Sequence, residues 1–151
     1  MSQEVRHVYQ VYIRTTAETL WDAITNPEVT ENYFFGGRFE SDWRAGSPLV
    51  LRDPSDNEIM LDNTVIAADK PHKIVHTFKP GGATSEPSRV TWEIKPVGEV
   101  CLLEVTHEFD DANSPDVAGT QNGWPIVLSG LKTYLETGAR LNVPMPSAAG
   151  A

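Results

Sequence analysis

The sequence predicts an α+β domain: a curved antiparallel sheet wrapped around one long C-terminal helix, with two short helices after the first strand. Three observations carry this. Between residues 36 and 109 the chain alternates short apolar-patterned segments with Gly-, Pro-, Asp- and Asn-containing turns, the pattern of an antiparallel meander. From Trp124 onward, large apolar side chains recur at helical spacing. One amphipathic helix cannot bury its stripe alone, whereas a bent sheet closing over it buries both apolar faces.

The first strand spans Val5 to Arg14, with Val5, His7, Tyr9, Val11 and Ile13 on one face. A helix follows. Thr15 and Glu18 have capping-box spacing, and Thr16 is the alternative cap. Leu20, Trp21 and Ile24 form its apolar stripe, which Asn26-Pro27 interrupts because proline disfavours the α conformation in the residue before it. A second helical turn, Pro27 to about Tyr33, starts on that proline.

Short strands then cover Arg38–Glu40, Leu49–Arg52, Glu58–Ala68, Lys73–Lys79, Arg89–Lys95 and Val100–Phe109. The adjacent apolar pair Val65-Ile66 leaves the inner face of 58–68 unassigned. Elsewhere the faces are clear. Ile74, His76 and Phe78 go together, as do Val90, Trp92 and Ile94, and Cys101, Leu103, Val105, His107 and Phe109. Ser114-Pro115 reads as N-cap and first helical position. The helix stripe is Trp124, Val127 or Leu128, Leu131, Tyr134 or Leu135, and Leu141, with Gly138 as the C-terminal cap. Pro125 requires that the helix start or kink there. One domain, 1–143, is expected, with a loose tail from Pro144 to Ala151.

The bulk numbers exclude several functions. The 151 residues are 40% hydrophobic, enough for one substantial core. A net charge of -9 repels phosphate backbones and anionic lipid, so neither nucleic acid nor membrane is an expected partner. No basic stretch followed by an apolar run opens the chain, and its one cysteine, Cys101, has no internal disulfide partner. A cytoplasmic location fits both.

The chain resembles the START/Bet v 1-like (SRPBCC) helix-grip superfamily, in the branch related to the C-terminal domain of the heat-shock-protein-90 ATPase activator. Four segments carry the resemblance: Val11-Tyr12-Ile13 before Ala17–Glu28, Asp69–Phe78, Thr106-His107-Glu108-Phe109, and Gly123–Lys132, closed by Glu136-Thr137-Gly138. It spans roughly Val5 to Gly138. The resemblance implies a cavity between sheet and helix. Superfamily members bind lipids, sterols, polyketides or plant hormones, and some catalyse cyclisation or hydration. No catalytic motif of this branch transfers to the present residues, and a shared fold does not by itself assign a function.

The candidate chemistry is sparse. His72 and His76 lie four residues apart on an extended segment, which separates their side chains by ~13 Å, too far to share a zinc ion with ~2 Å bonds. His107 and Glu108 point to opposite faces of a strand and cannot form a dyad. No phosphate loop, nucleophile elbow or calcium loop is present, and no metal or cofactor is expected. His107, on an apolar face, is either a core histidine or a polar anchor in a pocket, and His76 can join it there. Phe34-Phe35 before Gly36-Gly37 reads as core, cavity mouth or partner surface.

The expected function is therefore binding of a small apolar or amphipathic ligand between sheet and helix. The expected wall is His76, Trp92, His107, Phe109, Trp124, Leu128, Leu131, Tyr134, Phe35 and Phe39. Two alternatives stand beside it: a cyclase- or hydrolase-like enzyme with His107 as acid/base, and a chaperone- or regulator-interacting module. A homodimer or another protein partner is compatible with each.

Overall fold

The computed structural model describes residues 4–82, 86–111, 113–114 and 116–141. The tail expected from Pro144 to Ala151, and Pro115 at the expected helix start, lie outside these residues.

Seven strands form one sheet: β1 (Val5–Ile13), β2 (Arg38–Ser41), β3 (Pro48–Arg52), β4 (Ile59–Asp69), β5 (Lys73–Phe78), β6 (Ser88–Val97) and β7 (Val100–Phe109). Their order is β1-β7-β6-β5-β4-β3-β2, with every neighbouring pair antiparallel. The strands β2 to β7 are thus the meander that the short turns dictate. β1 closes onto β7 across the sequence, pairing Val5 with Phe109 and Ile13 with Cys101.

Two short helices carry the chain from the β1 edge to the β2 edge: α1 (Ala17–Thr25) and α2 (Pro27–Thr30). Thr16, not Thr15, caps α1, its hydroxyl accepting from the Thr19 amide at 3.1 Å. Asn26 ends α1 and caps α2 through the Glu28 amide, with Pro27 in the first turn. Tyr33 then returns to α1, donating its hydroxyl to the Ala23 carbonyl at 2.7 Å.

The inner face follows the alternation in β5, β6 and β7. In β4 it is Leu61, Asn63 and Val65 that turn inward. A register shift against β5 between Val65 and Ala67 breaks the alternation there and leaves Ile66 45% exposed.

The long helix α3 (Asp116–Thr137) covers this face. Ser114 caps it, its hydroxyl and carbonyl accepting the Asp116 and Val117 amides. Pro125 sits inside α3, so the helix does not begin there. The proline ring and Gln121, whose carbonyl loses its donor, are both exposed, and water can satisfy that carbonyl. Val127 and Leu128 are both buried, with Trp124, Gly130 and Leu131. Gly130 lets α3 lie close over Tyr33: a Cβ there would stand 3.3 Å from the tyrosine Cβ. Gly138 closes the helix at φ 77, its amide reaching the Tyr134 carbonyl at 2.8 Å. Leu141 lies beyond this cap and is 39% exposed, so it does not extend the stripe. No described helix is long and apolar enough to cross a membrane.

Candidate functional site: an aromatic cleft beside a buried histidine–tryptophan network

His76 and His107, the two fully buried histidines, are both held by tryptophans. The Trp92 indole N–H donates to His76 Nε2 at 2.9 Å, and His76 Nδ1 lies 2.6 Å from the Thr77 carbonyl. A carbonyl only accepts, so His76 is the neutral Nδ1–H tautomer. The Trp124 indole N–H donates to His107 Nδ1 at 3.0 Å. His107 therefore carries its proton on Nε2 and donates it to the Ser88 hydroxyl at 2.7 Å, which in turn reaches the Phe78 carbonyl. The two indoles meet edge to face, with centroids 5.3 Å apart, and His107 stacks on Phe109 at 4.2 Å.

This geometry fixes the protonation chemistry. Burial pushes His76 down to about 4 and His107 down to about 3, the latter also through repulsion from His76 and His7. The Ser88–His107 contact is short enough for a nucleophile–base pair but runs the wrong way. The imidazole donates to the serine, and its one lone pair is taken by Trp124. His107 thus stands as a satisfied core histidine, without a free proton acceptor for general-base work.

Open space lies next to this network. A cleft of about 360 Å³ opens between the first half of α3, the segment after α2, the start of β4 and the end of β5. Its walls are Phe34, Phe35, Phe78 and Trp124, with Leu61, Pro80 and Val127 completing the apolar surface. From α3 come Asp116, Gly119, Thr120 and Gly123, two of which have no side chain. The Gly119 position meets nothing within 4 Å of a built Cβ. Phe35 is half-buried and has φ 53, followed by Gly36 at φ 77. These two left-handed residues bring the Phe35 ring against Gly123, whose built Cβ would stand 3.6 Å from the ring tip. A non-glycine residue in this region costs about 1 kcal/mol or more, and such strain concentrates at ligand sites. Asn63 supports the opposite wall by accepting the Lys79 amide between Phe78 and Pro80, while its Nδ2 has no partner among the described residues.

Of the residues expected to line a cavity, Phe35 and Trp124 are on the cleft wall. His76, Trp92, His107, Phe109, Phe39, Leu128 and Leu131 are buried in the packed core, and Tyr134 is half-buried in the last turns of α3. Leu128 and Leu131 pack into the core, and the cleft lies beside Trp124 and Val127 at one end of the sheet–helix interface. Sequence reasoning missed Leu61, Phe78, Pro80, Asp116, Gly119, Thr120 and Gly123 as wall residues. The available signal was Gly119 and Gly123, one turn apart on a helix where each glycine costs about 1 kcal/mol against alanine. Phe34 is buried and Phe35 turns into the cleft, so the pair forms no exposed apolar patch. A second groove, beside Arg6, Arg89 and Glu108, lies over cross-strand charged neighbours on the outer face and is predominantly polar.

Several solved structures share the fold. DynU16, from the dynemicin biosynthetic locus, superposes with a TM-score of 0.77 at 21% identity, covering 89% of this chain and 48% of DynU16. The chain therefore spans about half of that protein's length. An HSP90 activator from Plasmodium falciparum, PFC0360w, matches with a TM-score of 0.73 at 22% identity, covering 87% of this chain and 96% of its own. The Aha1 dimer from Colwellia psychrerythraea gives 0.73 at 16% identity, covering 89% and 98%. No curated protein sequence matches. Residues 14–136 match the family model of activator of Hsp90 ATPase homolog 1-like proteins, from α1 to the end of α3, and the chain belongs to that family.

Proposed function

We propose that this protein is a binding domain for a small aromatic or amphipathic metabolite, held in the cleft between the first half of α3 and the sheet. The observation that supports this is the cleft wall itself: four aromatic rings and three aliphatic side chains around about 360 Å³, at the lower end of the range for ligand sites. By bulk volume this space would hold about a dozen water molecules. Replacing them with a ring that stacks on Trp124 and Phe35 supplies the affinity, and the few polar groups at the mouth orient the ligand. A cyclase or hydrolase reading would need His107 as a base, and the occupied lone pair of His107 argues against it.

The test is a titration with Nile red, a neutral dye that brightens in apolar surroundings. Wild type should enhance its emission saturably, and Gly119→Leu, which places a side chain into the space, should lose the enhancement while remaining folded. Equal enhancement by both proteins would place the dye elsewhere and sink the proposal. Family membership supports a second reading, a module that contacts an HSP90-type ATPase. That reading predicts a complex with such a partner that Gly119→Leu leaves intact.

A further inference from the structure

The polar groups of the cleft all ask for the same thing. Thr120 donates its hydroxyl hydrogen to the Asp116 and Val117 carbonyls at 2.9 and 3.1 Å, leaving only lone pairs for a ligand. The Asp116 carboxylate, in the first turn of α3, is acceptor-only when ionised. The other side-chain donor on the described wall, the indole N–H of Trp124, is spent on His107. Ser114 already takes the first amides of α3, those of Asp116 and Val117. Among the described wall residues no lysine, arginine or histidine is present, and Asp116 is the only one of them that carries a formal charge. The aromatic faces of Phe34, Phe35, Phe78 and Trp124 carry negative π density, which also attracts cations.

Resting on the ligand-binding reading, we propose that the cleft selects a cationic aromatic amphiphile: a flat ring system between Phe35 and Trp124, with an amine at the mouth against Asp116 and Thr120. The missing side chain at Gly119 gives that ring system a flat wall of helix backbone, while Gly123 seats the Phe35 ring. A carboxylate of the same shape finds no free side-chain donor among the described wall residues and meets a like charge. The protein's net charge of -9 acts in the same direction on approach. Fatty acids and aromatic acids are therefore rejected despite the apolar walls.

The experiment measures dissociation constants for naphthalene and indole probes, each carrying an aminomethyl, hydroxymethyl or carboxymethyl group. It uses the full chain at pH 7 in low salt, with the Trp fluorescence change as readout. The amines should bind roughly tenfold more tightly than the carboxylates, since one charge gains from Asp116 and the other loses by it. Asp116→Asn should shrink that ratio to about threefold or less, and raised ionic strength should shrink it in wild type. Carboxylates binding as well as amines would overturn the selectivity and leave the ligand site standing, as would a ratio that Asp116→Asn does not change. If no probe of any charge binds, or if Gly119→Leu binds them all as wild type does, the ligand-binding reading itself falls and the selectivity with it.

Discussion

Gly119 separates ligand binding from stability better than any other position in the cleft. A Cβ at Gly119 meets nothing within 4 Å, and the residue is helical without a positive φ, so a side chain enters without strain. Gly119→Ala should gain about 1 kcal/mol from helix propensity alone. Gly119→Leu keeps most of that gain. If its side chain removes about 40 Å² of apolar surface from water in the cleft, burial adds about 1 kcal/mol more. At about 2–4 °C per kcal/mol for a chain of this size, the leucine variant should melt roughly 4–8 °C above wild type. Most substitutions that abolish binding destabilise; under the ligand-binding proposal this one should raise Tm and remove binding together. Calorimetric melting and dye titration on the same preparations are the assay. A lower Tm would mean that the space is not open. A raised Tm with intact binding would mean that the ligand sits elsewhere.

Three further outcomes follow from the same geometry. Gly123→Leu should also remove binding but gain less stability than Gly119→Leu, because its side chain must displace the Phe35 ring; a melt and dye titration beside Gly119→Leu checks this. His107→Phe should cost about 2 kcal/mol by leaving the Trp124 indole N–H without its acceptor, read as a melting temperature lower by about 4–8 °C; an unchanged Tm would refute the network. Both histidines have folded values below the ~6.5 of the unfolded chain, so the unfolded state binds more protons at low pH. Stability should be full above about pH 6.5 and fall as pH drops towards about 4 for His76 and about 3 for His107, each contributing at most about 1.4 kcal/mol per unit. Urea midpoints at pH 7, 6 and 5 should show the decline, and His107→Phe should flatten it; an equal slope in the variant would refute the assignment.

The fold was largely legible because its signals are local. The alternation of β7, the turn residues between strands and Gly138 after the α3 stripe each act within a few positions. The reading stopped where a non-local effect decides. The β4 inner face depends on a register shift against β5, and only the partner strand reveals it. The helix cap fell to Thr16 although Thr15 had the capping-box spacing, because the backbone path out of β1 sets which hydroxyl faces the amides. The site was harder still. His107 was correctly placed on the inner face, but its partners Ser88 and Trp124 lie 19 and 17 residues away in sequence and leave no local trace. The cleft is made by residues between Phe34 and Val127 that meet only in three dimensions. Part of its shape is the absence of side chains at Gly119 and Gly123, which hydrophobic patterning cannot register.

A ligand received in the space beside Trp124 must perturb the residues around it. An amide-correlation NMR titration of the full chain with naphthylmethylamine tests it residue by residue. The expected result is saturable shifts at Gly119, Gly123, Phe35 and the Trp124 indole N–H, with the outer-face amides of Arg6 and Arg89 still. Saturable shifts confined to other surfaces, or no shift at these four sites at millimolar probe, would contradict it.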